Sequence, residues 1–139
     1  MNQVKVIGVS GGSGAGKTYI LDALKRRYLS VLVLPQDAYY HPTDGLTEKE
    51  LLARNYDHPD AFDIELLASH LASLKTKQPI KMPQYCFEQH NRLKQTIDVI
   101  PNNNIFLEGM FAYHYPQLDQ LFDAGFFINV PEDEWWSVM

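Results

Sequence analysis

Residues 11 to 18 read "GGSGAGKT", a run of small residues closed by a lysine and a threonine. The spacing fits G-x-x-x-x-G-K-[ST], the pattern of an anion cradle. Gly11, Gly12, Ser13, Gly14, Ala15 and Gly16 let the backbone wrap closely enough for successive N–H groups to face phosphate oxygens. A helix N-terminus behind the loop adds its own partial positive charge. In this pattern Lys17 neutralises the outer phosphates and the Thr18 hydroxyl ligates magnesium.

Magnesium keeps several waters and takes one or two carboxylates beside phosphates. Two acids are candidates. Glu108 closes the apolar run "IFLE", and Asp37 follows "VLVLPQ". Each stands at the carboxyl end of an expected strand, the edge where open α/β sheets bind ligands.

A phosphate held this way is hydrolysed, transferred to a small hydroxyl, or simply bound. A GTPase needs D-x-x-G and N-K-x-D elements, and an ABC-type ATPase an L-S-G-G signature; the sequence has none of them. A kinase needs an acceptor pocket with a carboxylate to orient the hydroxyl or take its proton. The segment "QDAYY" offers Asp37 and Tyr39, and "NYDHPDAFD" offers Asp57, suited to the vicinal hydroxyls of a sugar. From "PQYCFEQHNR", Tyr85, Phe87 and His90 are suited to sandwich and hydrogen-bond a flat heterocycle. Tyr85 and Phe87 flank Cys86 and read equally well as core-facing strand residues. His58 reads as a turn residue, Asp60 and Asp63 as helix-capping acids, and His70 as a packing or surface residue.

These groups need elements to position them. "VKVIGV" (4–9) is β-branched and apolar and leads directly into the glycines, as a buried parallel strand does. Residues 17 to 28 carry Ile20, Leu21, Leu24 and Tyr28 at helical spacing, with basic residues toward the C-terminal end. "SVLVLPQD" predicts a second strand stopped by Pro35, and 38–60 a long functional loop holding one short helix near Thr47 to Arg54. Residues 63 to 76 predict an amphipathic helix capped by Asp63. "PIKMPQYCFEQHNRLKQTIDVI" predicts two β segments around a polar turn, "IFLEG" a third strand, "YPQLDQLFD" a helix and "AGFFINV" a fourth strand. Alternating strands and helices give a three-layer α/β fold around a parallel sheet, in one domain over residues 1–139.

Composition narrows the partners. Of 139 residues, 45% are apolar and 21% charged, so disordered and fibrous classes drop out. Twelve lysines and arginines against 17 acids leave a net charge of −5, which opposes a general nucleic-acid surface. A lone Cys86 makes no internal disulfide. "MNQVKVIGVS" has no apolar h-region, and no run approaches the roughly 20 apolar residues that span a bilayer. The expectation is a cytoplasmic protein with no membrane or nucleic-acid partner.

"IGVSGGSGAGKT", "QDAYY", "NYDHPDAFD", "MPQYCFEQHNR" and "IFLEGMFAY", in that order and spacing, closely resemble the uridine/cytidine kinase family of phosphate-loop kinases. Kinases of phosphoribulose, pantothenate or nicotinamide riboside share the first motif but not the whole "NYDHPDAFD" block. The resemblance implies transfer of the γ-phosphoryl of ATP or GTP to the 5′-hydroxyl of uridine or cytidine, with Mg2+. It implies that Asp37 binds that hydroxyl and helps ligate magnesium, with Glu108 beside it. Asp57 then holds the ribose, Tyr85, Phe87 and His90 the base, and Arg92 a place close by. Homo-oligomers are common in the family.

The family continues past the strand matching "FFINV" into a helix whose arginines form a lid over the phosphates, and then into a last strand and helix. Here "PEDEWWSVM" stands instead, with Val138 and Met139 at the first arginine pair and Asn129 for the usual aspartate; Trp135 and Trp136 are also unusual. The expectation is therefore a kinase core lacking the lid, and two rival readings stay open: a non-catalytic nucleotide-binding module, and a kinase of another small metabolite. The complete pyrimidine pocket opposes both, and the missing arginines favour the module.

Overall fold

In the computed structural model, residues 3–11, 17–27, 31–56 and 58–127 are described, and of Lys17, Thr18 and Ile20 the backbone alone. Gly12 to Gly16, Tyr28, Asp57, Asn129, Trp135, Trp136, Val138 and Met139 therefore lie outside the described residues.

Strand β1 (Lys5–Ser10) runs to the glycine-rich loop, and helix α1 (Lys17–Arg27) follows it. Lys25, Arg26 and Arg27 fill the last turn of α1, where cations complement the helix dipole. Strand β2 (Val31–Pro35) ends on the expected proline and passes into a 3₁₀ turn over Gln36–Tyr39. The long loop holds helix α2 (Glu48–Leu52), started by a reciprocal capping box: Thr47 accepts from the Glu50 backbone while the Glu50 side chain reaches back. Asp63 caps helix α3 (Ile64–Lys75) as expected, accepting from the Leu66 N–H.

The polar hairpin region is more broken than its pattern suggested. It forms four short strands, β3 (Ile80–Met82), β4 (Tyr85–Cys86), β5 (Asn91–Arg92) and β6 (Ile97–Val99), paired antiparallel as β3–β6 and β4–β5. Pro83, which has no N–H to give a ladder, separates β3 from β4. Strand β7 (Asn104–Glu108) is the third expected strand. Helix α4 (Pro116–Asp119) is shorter than "YPQLDQLFD" implied. The chain leaves it because Asp123 is tied back to the sheet: its N–H donates to the Val6 carbonyl, and its carboxylate accepts from the Val6 N–H at 2.9 Å. Strand β8 (Ala124–Phe127) follows.

Four strands form a parallel sheet in the order β2–β7–β1–β8, and helices flank it. Val6 of β1, Ile105 and Leu107 of β7, and Leu34 of the edge strand β2 meet Leu67, Leu71 and Leu74 of α3, all fully buried. Each such side chain contributes about 1.5–3 kcal/mol on leaving water. Strand β8 is the exposed edge, and a slot between it and β1 takes a side chain. Gly8 and Gly125 are register partners, and a Cβ on either would come within 2.7 Å of Tyr113. The Tyr113 hydroxyl lies 2.6 Å from the carbonyls of both Gly8 and Phe126, with one proton to share between them. No described helix is long and apolar enough to cross a membrane.

Candidate active site

The first part of the site is built by strand register. Glu108 is opposite Val9 on one side and Pro35 on the other. It thus stands at the carboxyl end of β7, between the strand that leads into the phosphate-loop motif and the strand that leads to Asp37. Asp37 is exposed in the first turn of the 3₁₀ segment. Both acids keep interactions in the fold and are not idle surface charges. Backbone pairing alone brings them to one edge, although 71 positions (108 − 37) separate them in sequence.

Gln36, which sequence reasoning passed over, locks this edge. Its side chain is fully buried, and its Oε1 accepts from the Phe111 N–H at 3.2 Å. A Cβ on Gly109 would fall 2.0 Å from that same oxygen, so only glycine fits after Glu108. The exits of β2 and β7, which carry the two acids, are therefore clamped together. A polar side chain ending an apolar strand was the available signal.

Among the described residues no three His, Cys, Asp or Glu side chains gather into a metal-holding cluster. Two carboxylates fit a magnesium ion nonetheless, since that ion takes hard oxygen ligands and keeps water and phosphate in its remaining positions.

The second part is an aromatic pocket assembled from the long loop and the hairpin. Tyr40 stacks on Phe62 with centroids 4.4 Å apart, and meets Tyr56 and Tyr85 at 5.0 Å each. Phe87 packs edge-on against Tyr85 at 5.1 Å yet keeps 52% of its surface exposed, so an apolar face remains open. The Arg54 guanidinium covers the Tyr56 ring at 4.9 Å and donates to the His41 carbonyl. His90 is in the left-handed region (φ 52), a conformation uncommon outside glycine that turns it toward Tyr56. Its Nδ1 lies 2.9 Å from the Tyr56 hydroxyl, which lies 2.7 Å from that of Tyr85. Burial first, and the hydrogen bond shared with Tyr56 second, push the Tyr85 hydroxyl well above its ordinary pKa, so it keeps its proton. Asn91 ties the hairpin to the loop, accepting from the Thr43 N–H at 2.9 Å and donating to Asp44 at 3.0 Å.

Of the residues singled out in the sequence, the structure brings Tyr85, Phe87 and His90 together in this pocket, and Asp37 and Glu108 together at the sheet edge. Gly11 is buried at the end of β1. Gly12, Ser13, Gly14, Ala15, Gly16 and Asp57, and the side chains of Lys17 and Thr18, are outside the described residues.

Tyr39 departs from the expectation. It is fully buried, and its hydroxyl is 2.7 Å from His70 Nδ1 on α3, so it has no surface to offer a ligand. The 3₁₀ turn rotates it into the core while leaving Asp37 outside. His70 is accordingly its half-buried partner, and partial burial, then the nearby Arg92 charge, holds that imidazole below its ordinary pKa. Arg92, expected close to substrate, is drawn inward: Nε donates to the Tyr40 carbonyl at 2.9 Å and the guanidinium pairs with Asp63 at 3.1 Å. Asp63 therefore caps α3 and anchors the hairpin. His58 is a turn residue as expected, its Nδ1 accepting from the Asp60 N–H.

A parallel sheet whose first strand feeds a glycine-rich phosphate motif, with acids at the neighbouring strand exits, defines a phosphate-loop kinase core. Over residues 6–137 the chain matches the model of the phosphoribulokinase/uridine kinase family, and it belongs to that family. It is 40% identical over 135 residues to a uridine kinase of Staphylococcus epidermidis, covering 96% of this chain and 65% of that protein. It is 42% identical over 130 residues to the uridine kinase of Latilactobacillus sakei, covering 92% and 61%. The chain thus spans less than two thirds of these relatives' length. In fold it is similar to a possible uridine kinase of Bacillus stearothermophilus (TM-score 0.72, 21% identity, 98% of this chain and 76% of that one). It is also similar to a phosphoribulokinase of Rhodobacter spheroides (TM-score 0.69, 15% identity, 91% and 51%).

Proposed function

We propose that the chain is the core of a pyrimidine-nucleoside kinase. It transfers the γ-phosphoryl of ATP or GTP to the 5′-hydroxyl of uridine or cytidine in pyrimidine salvage. The observation that carries this reading is the strand register that sets Glu108 between the end of β1 and the strand leading to Asp37. The names of the relatives support the acceptor class, and the aromatic pocket supplies surfaces suited to a flat base.

In this reading Gly11 to Thr18 hold the phosphates, with Lys17 as their counter-charge. Thr18, Asp37 and Glu108 would hold Mg2+, which would neutralise charge on the phosphates during transfer. Asp37 orients the 5′-hydroxyl and accepts its proton as the new P–O bond forms and the bond from the γ-phosphorus to the β–γ bridging oxygen breaks, releasing ADP or GDP. Asp57 binds the ribose hydroxyls, and Phe87 stacks on the base while Tyr85 and His90 read its edge. Gln36 and Arg92 act through others, Gln36 by holding the strand exits and Arg92 by anchoring the hairpin to α3. The same reading makes the protein cytoplasmic, where ATP and free nucleosides meet.

The test is nucleoside-dependent release of ADP or GDP by the full chain, with uridine, cytidine, adenosine and pantothenate offered separately. Turnover confined to the two pyrimidine nucleosides, and lost in Asp37→Asn, is the expected result. Magnesium–ATP binding without any turnover would leave a nucleotide-binding module in its place.

A further inference from the structure

We propose that the Tyr56 hydroxyl lets one pocket accept both uracil and cytosine, by reversing a three-membered hydrogen-bond chain; this rests on the pyrimidine-nucleoside reading above. The chain is Tyr85–Tyr56–His90. Tyr56 is its centre, 2.7 Å from the Tyr85 hydroxyl and 2.9 Å from His90 Nδ1, and its ring stacks on the imidazole at 27°. A phenol has one proton, and a neutral imidazole carries its proton on one nitrogen at a time. Two arrangements therefore satisfy both bonds with the Tyr56 proton kept inside the chain.

In the first arrangement Tyr85 donates to Tyr56, which donates to His90 Nδ1. The imidazole proton is then on Nε2. Seen from a ligand, His90 is a donor and Tyr85 an acceptor. In the second arrangement His90 Nδ1–H donates to Tyr56, which donates to Tyr85. Nε2 is now a bare acceptor, and the Tyr85 proton is free to point outward. Moving the Tyr56 proton from one side to the other thus inverts both readers together.

The two bases are inverted in the same way. On its hydrogen-bonding edge uracil presents a carbonyl acceptor at position 4 beside an N3–H donor. Cytosine presents an amino donor at position 4 beside a bare N3 acceptor. Whichever reader faces position 4, one arrangement of the chain matches uracil and the other matches cytosine. The discrimination that a fixed pair of hydrogen-bonding groups imposes, by leaving buried polar groups unpaired against the wrong base, is thereby removed. Two features favour this reversible role. Among the described residues only the Tyr56 hydroxyl is hydrogen-bonded to His90 ring nitrogens, so neither tautomer is locked from the other side. The left-handed backbone at His90 (φ 52) holds the ring against Tyr56, and strain of this kind persists where the surrounding structure demands it.

The experiment uses the full chain with 15N-labelled histidine. Two-bond 1H–15N spectra identify which nitrogen of His90 is protonated, free and with saturating uridine or cytidine. Calorimetry measures the affinity for both nucleosides, and for ATP, in the native chain and in Tyr56→Phe. The expected result is that both nucleosides bind the native chain and select opposite His90 tautomers. In Tyr56→Phe the opposition is lost, and the ratio of the two affinities shifts by about fivefold, the scale of one hydrogen bond, with ATP affinity unchanged. The same tautomer with both nucleosides, or an unchanged ratio in Tyr56→Phe, overturns the inference while leaving the kinase reading intact. A chain that binds ATP but neither nucleoside overturns the pyrimidine reading itself, and the inference with it.

Discussion

The sheet edge and the aromatic pocket are made in opposite ways. At the edge, backbone pairing sets position: β1, β7 and β2 run in register, and Glu108 is placed by its ladder partners Val9 and Pro35 whatever its side chain does. In the pocket no long ladder exists. Its residues come from a loop and from two-residue strands, held by ring contacts, by Asn91 to Thr43 and Asp44, and by Arg92 to Tyr40 and Asp63. The contrast suits the chemistry of each region. Phosphoryl transfer demands fixed charges at fixed places, since misplacement of a catalytic group is costly in rate. Base recognition of the kind proposed for the pocket tolerates side chains whose protons rearrange.

The widest separation of the two regions comes from Asp37→Asn. Phosphoryl transfer should fall by about 10²–10⁴-fold, the usual yield of a positioned acid or base, while nucleoside affinity stays close to the native value. Transfer assays beside calorimetry would show both; parallel loss of the two would mean that the edge and pocket are not separable. Next comes Gly109→Ala. The new methyl meets a fully buried Gln36 side chain at 2.0 Å, and overpacking of this kind costs about 1–3 kcal/mol. Urea denaturation measures that loss, and a reduced Mg2+ dependence of transfer in the surviving fold would show that the clamp also sets the acids.

On the pocket side, His90→Ala should weaken uridine and cytidine by about three- to tenfold, one hydrogen bond's worth, and leave ATP untouched. Equal weakening of all three ligands would point to collapse of the hairpin instead. The smallest effect concerns pH. His70 is held below its ordinary pKa by burial and by Arg92, so the fold resists a proton that the unfolded chain accepts. Stability is therefore full above about pH 6.5 and declines as pH falls through the depressed folded value. His70→Gln, which can still bond Tyr39, should flatten that decline; urea midpoints at pH 5 and pH 8 compare the two proteins.

Much of the edge was legible in the sequence because it is local. A strand, a glycine-rich turn and a helix form one continuous segment, and an acid ending an apolar run marks a strand exit without any tertiary knowledge. The Asp63 cap was readable for the same reason, since a cap acts within three or four residues. The pocket was legible only as a set of suitable residue types. Its hub, Tyr56, stood unnoticed inside "NYDHPDAFD" because its partners, Tyr85 and His90, are 29 and 34 positions away.

Periodicity also overreached where pairing or a tertiary tie cut an element short. Pro83 broke one hairpin strand from the next, and Asp123, bonded to Val6, ended the short helix α4 early. Tyr39 shows the division most clearly. Sequence position put it two residues after Asp37, on the same short segment. Only the packing of that 3₁₀ turn against α3 decided that Asp37 faces solvent while Tyr39 is buried against His70. The sequence by itself determined the order of elements, the phosphate motif and the family, because these rest on short-range periodicity and spacing. The tertiary structure alone decided which side chains meet, because a contact between distant segments depends on the register and rotation of whole elements, and neither is written at any one position.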